Sequence, residues 1–140
     1  MKILLAVDGS TYTKKMLAYL VTHEELFSHS HQYTLMTVQA PFPARVKSAL
    51  GAEVTRNYHA EEAERILAPA FKFLARHGLN PASSWKLGHP GEAISKLADS
   101  GQFDMVVMGS HGHGSLGNLV MGSVATQVLA HCTVPLLLVR

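Results

Sequence analysis

The sequence predicts an α/β fold in which parallel strands alternate with helices. Two observations carry this prediction. Five apolar runs of strand length are separated by segments whose apolar residues recur at helical spacing, and a glycine-rich segment lies between the fourth run and the last helical segment. Strict alternation requires crossover connections, so we expect one open sheet of parallel strands with helices on both faces.

Length and composition indicate a single folded domain over residues 1–140. Hydrophobic residues make up 47% of the chain and charged residues 16%, which excludes a disordered tail. The net charge of +2 and the lack of a Lys/Arg cluster argue against nucleic acid or an anionic membrane as partners. No apolar run approaches the roughly 18 residues of a membrane span. One cysteine, Cys132, and six methionines predict a reduced, cytoplasmic protein.

The first strand and helix are predicted from the first apolar run. Ile3 to Val7 is continuously apolar, as in a strand that is covered on both faces, and Gly9 ends it. Ser10 or Thr11 then caps a helix. The inward residues of that helix are expected to be Met16, Leu17, Leu20, Val21 and Leu26.

The middle of the chain predicts a second strand, a loop and a long helix. Tyr33 to Val38 is the strand, and the loop runs from Pro41 to about Gly51. The helix begins at Glu53, bends at Pro69 and ends at Gly78. Its inward residues are expected to be Val54, Tyr58, Ala63, Ile66, Leu67, Ala70 and Leu74.

Three strands and two helices are predicted in the rest of the chain. Ser83 to Leu87 is the third strand, Met105 to Met108 the fourth and Val134 to Val139 the fifth. Pro90 lies in the first turn of a helix that Gly101 ends. Ser123 caps the last helix, whose buried side is expected to hold Val124, Val128 and Leu129.

The glycine-rich segment predicts an anion site. Gly109-Ser110-His111-Gly112 is followed by nine residues and then by Gly122-Ser123, directly before the last helix. Glycines let the backbone approach an anion closely, and the first N–H groups of a helix lack internal partners. This order of strand, glycine loop and helix start is typical of phosphate binding.

Asp8 is the second candidate ligand-binding residue. It follows the first strand as Gly109 follows the fourth, so both lie in one crevice if those strands are neighbours at the point where the strand order reverses. A carboxylate there accepts hydrogen bonds from a ribose hydroxyl or an adenine amine. The alternative role for Asp8 is that of a turn or helix-cap residue.

Two better-known phosphate motifs do not fit this loop. A Walker loop needs Lys where Ser115 stands after Gly109 to Gly114. Gly112 to Gly117 matches the dinucleotide spacing, but that fingerprint requires an acidic residue about 20 positions later. Asp104 is the last acidic residue of the chain, so nicotinamide dinucleotides are excluded.

The glycine spacing resembles the ATP-binding signature of the universal stress protein family. Lys2 to Ser10, Gly88 to Ile94 and Val134 to Val139 are similar to other conserved pieces of that family, in the same order. The resemblance implies a five-stranded sheet of order 3-2-1-4-5, which places Asp8 beside Gly109. It also implies an adenine nucleotide, ATP or AMP or a signalling nucleotide, as the ligand of a stress-response module.

The resemblance assigns a role to nine residues. Those expected to contact adenosine are Asp8, Val38 through its backbone, Met108 and Gly109. Those expected at the turn and the phosphates are Gly112, Gly122, Ser123 and Val124, with His111 beside them as a hydrogen-bond donor or ligand of a phosphate-bound cation. Ala125 stands where the family can carry a hydroxyl.

The resemblance and the charges predict a metal ion and a partner. No Lys or Arg lies between Gly109 and Leu129, so Mg²⁺ or Mn²⁺ is expected on the phosphates, with help from Arg45 or Lys47. Without a polarising lysine, ATP hydrolysis is expected to be slow or absent. The resemblance further implies a homodimer through the last strand, at Val134, Leu136, Leu137 and Leu138.

Two other functions remain open from the sequence. The nine histidines, including the pairs His29/His31 and His111/His113, suggest a metal-binding stress protein, although the spacing of His29 and His31 favours ordinary surface histidines over a metal site. Ser110 or Ser115 beside a histidine suggests a slow ATPase or hydrolase, but neighbouring residues seldom meet in the geometry that proton transfer needs.

Overall fold

The computed structural model describes residues 1–114 and 119–140 as a five-stranded sheet between two layers of helices. The strands are β1 Lys2–Ala6, β2 Gln32–Gln39, β3 Ala82–Leu87, β4 Met105–Gly109 and β5 Leu136–Val139. The helices are α1 Thr11–Thr22, α2 Ala44–Leu50, α3 Ala52–Arg76, α4 Pro90–Ser100 and α5 Ser123–His131. Among the described residues, no helix combines the length and apolar character that crossing a bilayer requires.

All strand pairs are parallel and the strand order is β3-β2-β1-β4-β5. The predicted order is therefore confirmed. Ala6 of β1 pairs with Met36 of β2 and with Met108 of β4, so β1 and β4 end side by side at the carboxyl edge of the sheet.

Side chains of β1 alternate between two apolar cores, one on each face of the sheet. Ile3, Leu5 and Val7 pack with α1 and α3, whereas Leu4 and Ala6 pack with α4 and α5. The central strands are continuously apolar because both of their faces are buried. Helices therefore cover both faces of the sheet, as predicted.

Two predictions for the first half of the chain are wrong. The segment after β2 is not a loop throughout, because Ala44–Leu50 forms α2. Leu26 is 51% exposed because α1 ends at Thr22, and Phe27 occupies the buried position instead.

Ser10, one of the two predicted caps, is the N-cap of α1, and its side chain accepts a hydrogen bond from the Thr13 N–H.

The inward face of α3 is predicted correctly only from Ala63 onward. Val54 and Tyr58 are 54% and 46% exposed, and the polar residues Thr55 and His59 are buried in their place. The Thr55 hydroxyl donates to Gly51 O at 2.7 Å, and the ring of Phe42 lies 4.8 Å from the His59 ring. The hydrogen bond of Thr55 and the cover of Phe42 over His59 thus override the apolar pattern in the first two turns of α3. Pro69 lies inside this helix.

The start and the buried side of α5 also differ from the sequence prediction. Gly122 is the N-cap and Ser123 is the first helical residue, so Ser123 does not cap this helix. Leu129 is 59% exposed, and Ala125 and Val128 form the buried side. Strand β5 begins only at Leu136, after Pro135, which has no N–H to donate.

His59 should lower the stability of the fold, because its side chain is 2% exposed and neither ring nitrogen has a hydrogen-bond partner among the described residues. Replacing it by leucine removes a desolvated polar group of similar size. We therefore expect His59→Leu to raise the free energy of unfolding by about 1–2 kcal/mol, measured by urea denaturation.

Thr55→Val provides the matched control on the same helix face, one turn earlier. That hydroxyl is buried but hydrogen-bonded, so its removal leaves Gly51 O without this donor and should lower the free energy of unfolding. A destabilised His59→Leu protein would contradict the assignment of His59 as an unsatisfied polar group.

Candidate functional site

A cavity of about 330 Å³ opens beyond the carboxyl ends of β1 and β4, where the strand order reverses. In open α/β sheets this is the usual position of a ligand. The structure brings all nine sequence-predicted residues to its wall: Asp8, Val38, Met108, Gly109, His111, Gly112, Gly122, Ser123 and Val124. They come from four separate segments of the chain.

The sequence prediction missed several residues of the cavity wall. The majority have apolar side chains, and such residues carry no chemical signal before the topology is known. The additional wall residues are Ala6, Val7, Thr13, Met36, Pro90, Ile94, His113, Gly114, Leu119 and Ala125. They give the cavity an apolar part next to the glycine loop.

The two carboxylate oxygens of Asp8 have different surroundings. Oδ1 accepts hydrogen bonds from the Ser10 N–H and the Thr13 hydroxyl, both at 2.9 Å, and so fixes the turn into α1. Oδ2 lies 2.6 Å from the point that a Cβ atom on Gly112 would occupy. The turn role and the ligand role considered from the sequence are therefore compatible, because each can use its own oxygen.

The signature glycines allow close packing of the protein on itself. A Cβ on Gly109 would lie 2.6 Å from Tyr12 Cβ, and one on Gly122 would lie 3.0 Å from His111 Cα. Real Cβ atoms do not approach other atoms this closely without displacing them. These glycines are thus required for the shape of the loop even without a ligand.

The first N–H groups of α5, at the cavity wall, have no hydrogen-bond partner among residues 1–114 and 119–140. The Gly122 N–H is used inside the protein, because it donates to Ser110 O at 2.8 Å. The first helical bond runs from Thr126 N–H to Gly122 O, so the N–H groups of Ser123, Val124 and Ala125 precede it. Gly122 has no side chain that could cap them, and they carry the positive end of the helix dipole.

His111 is held by hydrogen bonds at both ring nitrogens. Nε2 lies 2.8 Å from Leu119 O, a carbonyl that only accepts, so Nε2 carries the proton. Nδ1 then accepts from the Ser110 hydroxyl at 2.8 Å. Both nitrogens are thus engaged within the protein in this arrangement, and the contact of His111 with a phosphate or a phosphate-bound cation stays a prediction.

Ser110 and His111 do meet, contrary to the expectation for neighbouring residues. However, Ser110 is 3% exposed and does not line the cavity, so this pair does not present a nucleophile to a bound molecule. Ser115, the other candidate, lies outside the described residues. The hydrogen bond of this pair joins two neighbouring residues of the loop.

His113, which the sequence suggested as a metal-ligand candidate, makes a hydrogen bond within the protein instead. Its Nε2 donates to Asp8 O at 2.8 Å and joins the glycine loop to the turn after β1. Within the described part of the wall there is no Lys or Arg. Arg45 and Lys47 lie on α2, exposed and away from the wall, so the predicted help from these two cations is absent in this conformation.

The described residues give no support to a protein-bound metal centre. They contain no group of three His, Cys, Asp or Glu side chains placed to hold an ion. His29 Nε2 contacts His77 O and His31 Nδ1 contacts the amino nitrogen of Met1. Burial, with Asp99 nearby, raises the pKa of the Cys132 thiol, which makes its thiolate less available as a ligand.

Comparison with known proteins gives a consistent result along the whole chain. The chain is 33% identical over 139 residues to a universal stress protein from Thermus aquaticus, with 99% of this chain and 97% of the relative covered. It is 29% identical to the universal stress protein Slr1230 from Synechocystis, of which it spans 42%. The structure of MJ0577 from Methanocaldococcus jannaschii superposes with a TM-score of 0.79 at 26% identity, covering 99% of this chain and 94% of the other.

More distant structures share the fold and carry ligands. A universal stress protein from Archaeoglobus fulgidus in complex with dAMP superposes with a TM-score of 0.68 at 20% identity over 100% of this chain and 98% of the other. An Arabidopsis thaliana member with AMP bound gives 0.70 at 17% identity over 99% and 90% of the two chains. A profile described as the universal stress protein family matches residues 1–140, and the chain therefore belongs to this family.

Proposed function

We propose that this protein binds an adenine nucleotide, ATP in the first place, in the cavity between β1, β4 and the start of α5. The observation that carries the proposal is the convergence of nine residues from four segments on one cavity wall at the switch point of the sheet. The AMP and dAMP in the two distant structures support adenine as the base.

The wall divides into parts that suit the parts of a nucleotide. Apolar side chains of Met36, Val38, Ile94 and Met108 offer a surface for a flat base, and the Val38 backbone offers polar groups to its edge. Asp8 Oδ2, which has no hydrogen-bond partner in the part of the chain that the structure describes, accepts from adenosine, at the ribose or the amine. A volume of about 330 Å³ lies at the lower end of the usual range of ligand cavities, about 300–1,000 Å³.

The start of α5 receives the phosphates. The N–H groups of Ser123, Val124 and Ala125 donate to phosphate oxygens, and the Ser123 hydroxyl adds one polar group. A helix end contributes only about half a unit charge, which is less than the charge of a triphosphate. Mg²⁺ or Mn²⁺ fits this wall only through the phosphates and water, because the chain itself offers few oxygen ligands.

Nucleotide binding without efficient turnover agrees with the rest of the wall. No lysine or arginine of the described wall polarises a phosphoryl group, and Ser110, the nucleophile candidate beside His111, is buried and does not line the wall. The protein acts as a nucleotide-responsive stress module in the cytoplasm, and slow ATP hydrolysis is the alternative outcome.

Asp8→Asn should separate the two functions of this carboxylate. The asparagine oxygen can still accept from Ser10 and Thr13, whereas an NH₂ group replaces the Oδ2 acceptor. We expect the affinity for adenosine and for ATP to fall alike by about tenfold, equivalent to about 1.4 kcal/mol, in isothermal titration calorimetry.

Ser10→Ala is the control in the same turn. It removes the cap of α1, which lowers the free energy of unfolding by about 1 kcal/mol, but Ser10 does not line the cavity and the affinity should stay unchanged. Equal affinities of wild-type and Asp8→Asn protein would exclude Asp8 from the adenosine site.

Removal of divalent metal should weaken ATP binding more than adenosine binding, because the cation acts through the phosphates. Titrations with Mg²⁺ and with EDTA measure this difference, and adenosine serves as the ligand without phosphate. ATP binding that is unaffected by EDTA would remove the cation from the proposal.

Turnover of about 1–100 per second, the range of kinases, would show that the protein is an enzyme.

A homodimer through the free edge of β5 is part of the proposed function. Pro135 O and Val139 O accept from Val106 N–H and Ser110 N–H of β4. Alternate residues of a strand direct their backbone groups to opposite sides, so those of Leu136 and Leu138 point away from β4. The side chains of Val134, Leu136 and Leu138 pack on the core between the sheet and α4 and α5, and Leu137 packs on the core of the other face. Because these side chains are used inside the subunit, the backbone of β5 offers the pairing surface.

Leu138→Pro should abolish pairing at this edge, because it removes an outward N–H group. Leu138→Val keeps that N–H and is the matched control. Sedimentation velocity at micromolar concentration should show loss of one pairing interface in the proline variant only. A wild-type protein that sediments as a monomer would refute the dimer.

A further inference from the structure

The His111 ring connects the two limbs of the glycine loop. Its Nε2 donates to Leu119 O at 2.8 Å, and its Nδ1 accepts from the Ser110 hydroxyl at 2.8 Å. A second link joins the same limbs, because the Gly122 N–H donates to Ser110 O at 2.8 Å. The limb that contains Leu119 leads into Gly122, the N-cap of α5. The placement of His111 therefore helps to fix the chain that enters the first turn of α5.

The His111 ring needs more than these two hydrogen bonds to keep one orientation. His111 is only half-buried, so water competes for its nitrogens. A side chain in such a place keeps a single rotamer when other groups pack against it. Tyr12, in the first turn of α1, supplies this contact: the centroids of the two rings are 4.8 Å apart, and the angle between the ring planes is 37°. The separation lies within the usual range of aromatic pairs, about 4.5–7 Å.

Gly109 allows Tyr12 to reach this position. A Cβ atom on Gly109 would lie 2.6 Å from Tyr12 Cβ and 3.1 Å from the carbonyl carbon of Tyr12. Any larger residue at the end of β4 would therefore displace the first turn of α1, and the tyrosine ring with it. Tyr12 does not line the cavity. Its contact with the glycine loop lies outside the ligand site and is made by its ring.

We propose that Tyr12 is a positioning residue for the phosphate end of the nucleotide site. Its ring holds the His111 ring in the orientation in which Nε2 reaches Leu119 O. His111 in turn holds the chain before α5, whose first N–H groups are the proposed phosphate donors. Tyr12 acts through His111 and does not touch the ligand. This inference rests on the proposed binding of a nucleotide and adds a residue of α1 to the phosphate end of that site.

A competing explanation is that Tyr12 serves the site through a lysine. Lys15 Nζ lies 4.9 Å from the centroid of the Tyr12 ring, so loss of the ring would also release this cation. Lys15 is exposed and does not line the cavity, and solvent and salt screen its charge. The geometry therefore favours the tyrosine ring over the lysine charge, and Lys15→Gln tests the alternative directly.

Tyr12→Leu should weaken ATP binding about three- to tenfold, because the His111 side chain must then be ordered when the ligand binds. Adenosine has no phosphate and should keep its affinity. Tyr12→Phe retains the ring and should bind ATP as the wild type does, and so should Lys15→Gln. Isothermal titration calorimetry measures all of these affinities.

Tyr19→Leu is the matched control on the same helix. Tyr19 also pairs with a histidine, His23, at 3.9 Å between the ring centroids, but neither residue lines the cavity. The substitution removes a tyrosine–histidine pair and should leave ATP affinity unchanged. Equal losses of ATP affinity in Tyr12→Leu and Tyr19→Leu would reduce the effect of Tyr12 to general destabilisation and overturn the proposal.

A double-mutant cycle decides whether Tyr12 acts through His111. Tyr12→Leu should cause no further loss of ATP affinity when His111→Ala is present, because the ring that Tyr12 holds is then missing. Additive losses would overturn the proposal. NMR of the imidazole nitrogens gives a readout without ligand: His111 should be a single Nε2–H tautomer in the wild type and a mixture of tautomers in Tyr12→Leu. The signal is assigned by its absence from His111→Ala.

The failure of this proposal and the failure of nucleotide binding give different results. A wild type that binds no adenine nucleotide refutes the proposed function, whereas the imidazole spectrum still decides whether Tyr12 holds His111. An unchanged ATP affinity or an unchanged His111 tautomer in Tyr12→Leu overturns the positioning role, and so does an equal loss in Lys15→Gln. Circular dichroism verifies the fold of each variant, and Tyr12→Met replaces Tyr12→Leu if the leucine variant misfolds.

Discussion

The parallel pairing of β1 with β4 is the constraint from which the geometry of the site follows. The pairing aligns Ala6 with Met108, so that the turn after β1 and the glycine loop after β4 leave the sheet as neighbours. Because the chain reaches β4 only after β2 and β3 have been placed on the other side of β1, no helix fills the space between these two exits. Asp8 and Gly112, 104 positions apart in the chain, meet in that space.

Once the ends of β1 and β4 are adjacent, contacts within the protein fix the conformation of the glycine loop. His113 donates to Asp8 O, Gly112 faces Asp8 Oδ2, and Gly122 N–H donates to Ser110 O, so the loop is held at three points. At two of these points the glycine is needed because another residue's atoms occupy the place of a Cβ. The same small residues that would permit a phosphate to approach the backbone thus permit the backbone to approach itself. The loop is shaped by the protein before any ligand contributes.

The sequence predicted most of the fold, and its nine candidate residues lie on the wall of one cavity, for reasons that can be stated. Strands buried on both faces are continuously apolar, and glycines at strand ends are visible without a structure. The partners of these residues were not predictable, because they depend on side-chain direction. Whether His111 points to a ligand or to Leu119 O is decided by the path of the loop, and the apolar wall from Met36 and Ile94 depends on the strand order.

Three of the incorrect predictions, the loop after β2 and the burial of Val54 and Tyr58, fall in residues 41–59 and share a physical cause. A pattern of apolar residues predicts a buried face only if the chain itself supplies the other side of the contact. In α2 and the first turns of α3 the apolar residues are exposed, while the polar Thr55 and His59 are buried. Local preference and tertiary environment disagree here. Phe42, whose ring lies 4.8 Å from the His59 ring, supplies an aromatic cover from outside the helix, and no pattern within α3 could have predicted that contact.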